Sequence, residues 1–191
     1  MSFSGEVKEE LVRIDSAARH CQIAELAAIL VYSGAIKEAD TGEEVIDLQS
    51  DAPFIAVRCL TLLKKLFSIK EECFGNEQNP NSLYIDNSGS LTAGKILQTI
   101  KHVQGDTLVN PLVIKSLCCK RAYIRGTFLS IGSMSNPEKG YHLEFVCNDM
   151  EQANQLIDTL LIYEITAKTV ARKKYQVVYI KESEEIVELL M

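Results

Sequence analysis

The sequence predicts an α+β fold built from two copies of one unit, each running α-β-β-α-β-β-α and related by a pseudo-two-fold axis. Three observations carry this. A long segment recurs at a constant offset, strand-like alternation follows each recurring helix, and matched helix starts follow the strands. Residues 20–34 read HCQIAELAAILVYSG and residues 118–132 read CCKRAYIRGTFLSIG, an offset of 98. Along it Cys21 meets Cys119, Ala24 meets Ala122, Ala28 meets Gly126, Leu30 meets Phe128 and Gly34 meets Gly132. The same offset carries Asp51 onto Asp149 and Thr61-Leu62-Leu63 onto Thr159-Leu160-Leu161.

Taken in order, an N-terminal helix is expected over Gly5–Asp15, within a leading segment of residues 1–18. The first repeat occupies residues 19–104, a linker 105–117, and the second repeat 118–191. The repeated helices span Cys21–Ser33 and Cys119–Ile131. Strands follow at Val45–Gln49 and Tyr141–Val146, the latter with Tyr141, Leu143 and Phe145 on one face. Helices come next over Ala52–Phe67 and Met150–Tyr163, with Asp51 and Asp149 as N-caps able to accept from free backbone N–H groups. Strand pairs are expected near Ile69–Phe74 with Ser82–Asp86, and Ala167–Arg172 with Gln176–Lys181. Closing helices span Thr92–Ile100 and Ser183–Leu190. Gly105, Asn110 and Pro111 mark the linker, which is too short for the halves to swing freely.

At 191 residues with 47% apolar and 24% charged side chains, the composition is that of an ordinary globular chain. No apolar run approaches the roughly 20 residues that span a bilayer, and the N-terminus lacks a basic stretch followed by an apolar core. Both point to the cytoplasm. The six cysteines form no CxxC pair and have no His-x3-5-His partner, so they read as small core hydrophobes, and no metal or cofactor is expected. His20, His102 and His142 read as structural or surface residues. Residues 1–100 carry nine basic and fifteen acidic side chains, whereas Lys115–Lys181 carries ten basic and six acidic. Phosphate neutralisation supplies most DNA affinity, so any DNA contact by this domain should be weak.

Small residues pattern the repeated helices. Ala24, Ala27, Ala28 and Val31 match Ala122, Arg125, Gly126 and Leu129, spacing that lets two backbones approach closely. The expected interface is Ala27, Ala28, Gly34, Gly126 and Gly132, each terminal glycine also suiting a left-handed C′ position.

This helix pair and its recurrence resemble the LAGLIDADG homing-endonuclease fold, with Leu26–Gly34 and Ile124–Gly132 as the two motifs. In cutting members the residue before each terminal glycine is an acid, and the two acids bind the divalent metals that activate water. Hard metals need anionic oxygen ligands. Here those positions hold Ser33 and Ile131, so the resemblance implies a degenerate site and no cleavage.

The chain is more narrowly similar to the WhiA family of bacterial sporulation and cell-division regulators. The signatures are Met-Ser-Phe-Ser at the start, Cys118–Leu129, and Asn136-Pro137-Glu138 before Tyr141–Glu144. In the first repeat His20-Cys21-Gln22 stands where that family leads one to expect Cys-Cys-basic, which reads as drift. The resemblance implies a nucleoid-associated regulator whose sequence-reading helix-turn-helix would follow. The chain stops at Met191 inside a predicted helix, as a truncated one would. Implied partners are double-stranded DNA, weakly, and transcription machinery such as a sigma factor. Lys120, Arg121, Arg125, Lys139, Arg172, Lys173 and Lys174 are the candidate phosphate contacts, with Arg125 alternatively pairing a local acid. The competing functions are a metal-dependent endonuclease and a pure protein-interaction module.

Overall fold

The fold is described from a computed structural model, covering residues 2–69 and 81–190. Helix α1 (Phe3–Leu11) starts at an N-cap Ser2 whose hydroxyl accepts from the Gly5 amide. It is thus shorter than expected and begins earlier. The first repeat follows as α2 (Arg19–Tyr32), β1 (Ile36–Glu38), β2 (Glu44–Gln49), α3 (Pro53–Phe67), β3 (Ser82–Ile85) and α4 (Ala93–Thr99). The second is α5 (Leu117–Ile131), β4 (Gly132–Met134), β5 (Leu143–Cys147), α6 (Met150–Leu161), β6 (Lys168–Arg172), β7 (Tyr175–Ile180) and α7 (Ser183–Leu190). A short 3-10 turn, Pro137–Lys139, lies between β4 and β5. The second copy has the expected α-β-β-α-β-β-α order. In the first copy, the strand expected near Ile69–Phe74 falls mostly outside the described residues.

Each repeat makes an antiparallel sheet, β1-β2-β3 in the first and β4-β5-β7-β6 in the second. Register fixes which residues face the core. Phe145 pairs with Val178 and Leu143 with Ile180, and all four are buried. Glu144 pairs with Tyr179, so both share the opposite face. In the first sheet Ile46 and Leu48 pair with Ile85 and Leu83 on the core side, leaving Asp47 and Tyr84 on the other. Strand β6 forms an edge, and all five of its residues are exposed.

Helices α2 and α5 make the most extensive contact between elements, and the core is continuous across both repeats. α2 is buried along nearly its whole length because it lies between the repeats. The joining segment is a strap. Val109, Val113 and Ile114 are buried, and the Gln155 side chain both donates to the Val109 carbonyl at 2.7 Å and accepts from its amide at 3.0 Å. Among the described residues no helix is long and apolar enough to cross a membrane.

The two expected N-caps differ. Asp149 caps α6, accepting from the Gln152 amide at 2.8 Å. Asp51 does not cap α3, whose N-cap is Ala52 without a side-chain bond. Pro53 occupies the first turn of α3, where its missing N–H removes one of the donors a cap would satisfy.

Candidate functional site: the two ends of the helix pair

Close approach of the two helices rests on Gly126. A Cβ built there would lie 2.6 Å from the Glu25 carbonyl oxygen and 2.9 Å from the Ala28 Cβ. Ala27 and Ala28 are buried, as an interface requires. The terminal glycines behave differently from expectation. Gly34 adopts φ +70° and lets the Ala35 amide close back on the Leu30 carbonyl, but it is exposed and meets nothing across the interface. Gly132 is extended (φ −82°, ψ 153°) because the chain runs straight from α5 into β4. It is glycine for a different reason: a Cβ there would strike the Phe128 ring at 2.3 Å.

At the C-terminal end of the pair, Ser33 and Ile131 line a cavity of about 430 Å³ together with Tyr32, Gln49, Ser130 and Asn148. The Ser33 hydroxyl donates to the Leu30 carbonyl at 3.4 Å. The Tyr32 and Tyr123 hydroxyls hydrogen-bond to each other at 2.5 Å across the helix pair. Burial pushes both phenols above their usual range, so they are neutral. None of the described residues lining this cavity carries a carboxylate.

Midway along the pair lies an ion cluster that links distant parts of the chain. Glu25 is fully buried and accepts from Arg58 (Nε at 2.7 Å, Nη2 at 2.9 Å) and from Arg125 (Nη2 at 2.9 Å). Arg58 also donates to the carbonyls of Val12 and Ile14, and Arg125 to the Ser16 hydroxyl at 2.8 Å. The cluster ties together α2, α3, α5 and the segment after α1.

This geometry gives three of the candidate phosphate contacts partners within the fold. The Arg125 side chain is only 14% exposed, and its Nε and Nη2 both donate to Glu25. The local acid lies 100 residues away in sequence. Lys120 donates to the Ile114 and Lys115 carbonyls at 2.8 and 2.9 Å, clamping the strap. Arg121 lies 5.0 Å above the Tyr163 ring and 3.5 Å from Glu188. At helical rise Lys120 lies about 16 Å from the end of α5, where β4 begins. Arg172, Lys173, Lys174 and Lys139 are exposed. Arg172 approaches Glu144 at 3.3 Å, and His142 meets the same carboxylate at 3.0 Å. The His142 and Arg172 bonds hold Glu144 below the usual carboxylate range, although partial burial opposes them with the largest single effect. Exposed Lys168 extends the basic edge, which spacing alone did not single out.

The N-terminal end of the pair holds a cluster that motif spacing missed. His20 Nδ1 lies 3.1 Å from Cys119 Sγ, 3.5 Å from Cys21 Sγ and 3.8 Å from Cys118 Sγ. All four ligand-capable atoms fall within 4.8 Å of one another. Cys21 and Cys119 are buried, while His20 and Cys118 are exposed. Cys118 is therefore no core hydrophobe, although Cys59 and Cys147 are fully buried as expected. Cys73 lies outside the described residues.

Comparison with known proteins places these features in context. Two family models match in chain order: the WhiA N-terminal LAGLIDADG-like domain over residues 19–82 and the WhiA LAGLIDADG-like domain over residues 120–191. A probable cell division protein WhiA from Lachnoclostridium phytofermentans is 43% identical over all of this chain, which spans 64% of that relative. A crystal structure of the N-terminal LAGLIDADG domain of WhiA superposes with TM-score 0.66 at 26% identity, covering 99% of this chain and 90% of that one. The homing endonuclease I-DmoI, solved with DNA and manganese, superposes with TM-score 0.59 over 89% of this chain and 94% of that one; at 11% identity that likeness concerns the fold alone.

Proposed function

Since this chain belongs to the WhiA family, we propose that it is the non-catalytic part of a bacterial DNA-binding regulator of transcription in cell division and sporulation, assisting DNA binding. The observation that carries the non-catalytic reading is the C-terminal end of the helix pair. Ser33 and Ile131 occupy the positions where cutting relatives of the fold are expected to hold acids, and no described residue lining the cavity around them is a carboxylate. Among the described residues a hard divalent cation finds no anionic oxygen ligand there.

DNA would meet the face of the sheets opposite the core. Its second-repeat edge carries Lys168, Arg172, Lys173 and Lys174, all exposed. Among its described residues the first-repeat sheet offers fewer cations: Lys37 is paired with Asp47 at 2.9 Å, beside Tyr84. Four cations against an overall net charge of −6 give weak, salt-sensitive contact that positions DNA without reading sequence.

Two experiments test this. Incubation of the chain with supercoiled plasmid and Mg²⁺ or Mn²⁺ should leave the plasmid intact; cleavage abolished by a chelator would overturn the non-catalytic reading. The triple change Arg172→Ala, Lys173→Ala, Lys174→Ala should lower the salt slope of duplex binding by about 2–3, at roughly 0.9 per lost phosphate contact. An unchanged slope removes the hairpin tip from the interface. Absence of duplex binding by the parent even at low salt would favour a protein-interaction role.

A further inference from the structure

We propose that His20, Cys21, Cys118 and Cys119 form a tetrahedral Cys3His site for zinc that joins the two repeats at the N-terminal end of the α2–α5 pair. Zinc bonds to sulfur at about 2.3 Å and to imidazole nitrogen at about 2.0–2.1 Å, so a regular tetrahedron has sulfur–nitrogen edges of about 3.5 Å. The three sulfur–nitrogen separations here are 3.1, 3.5 and 3.8 Å. They bracket that value, and all four ligand atoms already lie within 4.8 Å of one another.

The placement of the ligands gives the site its logic. His20 and Cys21 are the second and third residues of α2, and Cys118 and Cys119 are the second and third residues of α5. The pseudo-two-fold axis therefore superposes the two donor pairs, and each repeat supplies half the shell. Three thiolates and one imidazole form a soft donor set that suits zinc over magnesium, calcium or manganese. Both ligand pairs lie in first turns, where the helix dipole favours an anionic shell, and neither first turn contains an acid. The Ser116 hydroxyl lies 3.2 Å from Cys118 Sγ and also caps α5 by accepting from the Cys119 amide. It can therefore orient one ligand from outside the shell. Beside the cluster a cavity of about 330 Å³ is lined by His20, Cys119, Lys101 and Lys115, giving a path for the ion and two cations near an anionic shell.

The exchange balances simply. Zn²⁺ forms three Zn–S bonds and one Zn–N bond, and the protons of thiols that were not already ionised leave to solvent, with no change in oxidation state. The ligands of each helix are adjacent and the two pairs lie far apart in sequence. Bound zinc would therefore act as a cross-link between repeats.

The test uses the whole chain, purified under reducing conditions. Elemental analysis should find one zinc per chain after removal of loosely bound metal. Cobalt(II) added to the chelator-stripped protein should give thiolate-to-cobalt charge-transfer absorbance and the intense visible bands of a tetrahedral centre. The exposed ligands avoid confusion with misfolding. Cys118→Ser and His20→Ala should each weaken zinc binding by more than about a hundredfold, since changes outside the shell alone cost 10–100-fold. His20→Cys should restore binding with a stronger charge-transfer band, because it adds a thiolate. Cys147→Ala, which alters a thiol elsewhere, should leave binding unchanged. Less than stoichiometric zinc both as purified and after reconstitution, an octahedral cobalt spectrum, or a disulfide among these three cysteines in the reduced protein would each overturn the assignment.

Discussion

The α2–α5 pair ends in opposite chemistry. One end gathers an imidazole and three thiols within 4.8 Å, while the other gathers a serine, an isoleucine and the neutral Tyr32 phenol around a cavity. The ends are about 20 Å apart at helical rise, and the same pseudo-two-fold axis runs through both. Duplication brings matched positions together at the axis whatever they carry, so what each end can bind depends on side-chain type alone. An acid-poor C-terminal end therefore does not leave the pair with packing as its sole role.

The largest effect should come from the cluster between the ends. Glu25 is fully buried and holds Arg58 and Arg125. Glu25→Ala leaves two guanidinium groups facing a buried space without their anion. Removing one partner of a buried ion pair costs about 3–5 kcal/mol. Urea denaturation should show a loss of that size, with both ends loosened together. A loss below about 1 kcal/mol would mean that water reaches the cluster, leaving the two ends mechanically independent.

Much of this could be read in the sequence, and the exceptions have physical causes. The 98-residue recurrence gave both repeats and the second-copy element order, because helix and strand periods survive duplication. Gly126 was legible as a contact glycine from its match to Ala28. The role of Arg125 was not, since its acid lies 100 residues away and only the fold joins them. Gly132 was misread because a C-terminal glycine has two uses, a left-handed turn or room for a neighbouring ring, and sequence does not separate them. The thiol–imidazole cluster escaped for a related reason. Zinc motifs are recognised by spacing within one segment, whereas this cluster takes two adjacent residues from each of two helices. The offset that aligns Cys21 with Cys119 also aligns His20 with Cys118, and that was the available signal.

A smaller effect, with an informative sign, should follow Gly126→Ala. Helix propensity alone favours alanine by about 1 kcal/mol. The new Cβ would stand 2.6 Å from a backbone carbonyl, which cannot rotate away as a side chain can, so the helices must part. Overpacking of this kind costs about 1–3 kcal/mol, leaving a net loss of up to about 2 kcal/mol. Parting the helices also widens the spacing between the ligand pairs, so cobalt affinity should fall along with stability. Net stabilisation would show that the helices are not held at van der Waals contact there.

The smallest effect makes the two ends chemically alike. In Ser33→Asp combined with Ile131→Asp, two carboxylates should face the C-terminal cavity and repel each other, so the melting midpoint in chelator should fall below that of the parent. Manganese, a hard cation suited to carboxylate oxygen, should relieve the repulsion. At tenfold excess over its dissociation constant it would recover about 1.4 kcal/mol, and the parent should show no such gain. Cobalt absorbance from the thiol–imidazole end should be the same in both proteins, since the substitutions lie at the other end of the helices. If manganese fails to stabilise the double variant, the loss of acids is not what separates the two ends. The cavity geometry would then have diverged as well, and restoring side-chain type alone would not rebuild a cation site.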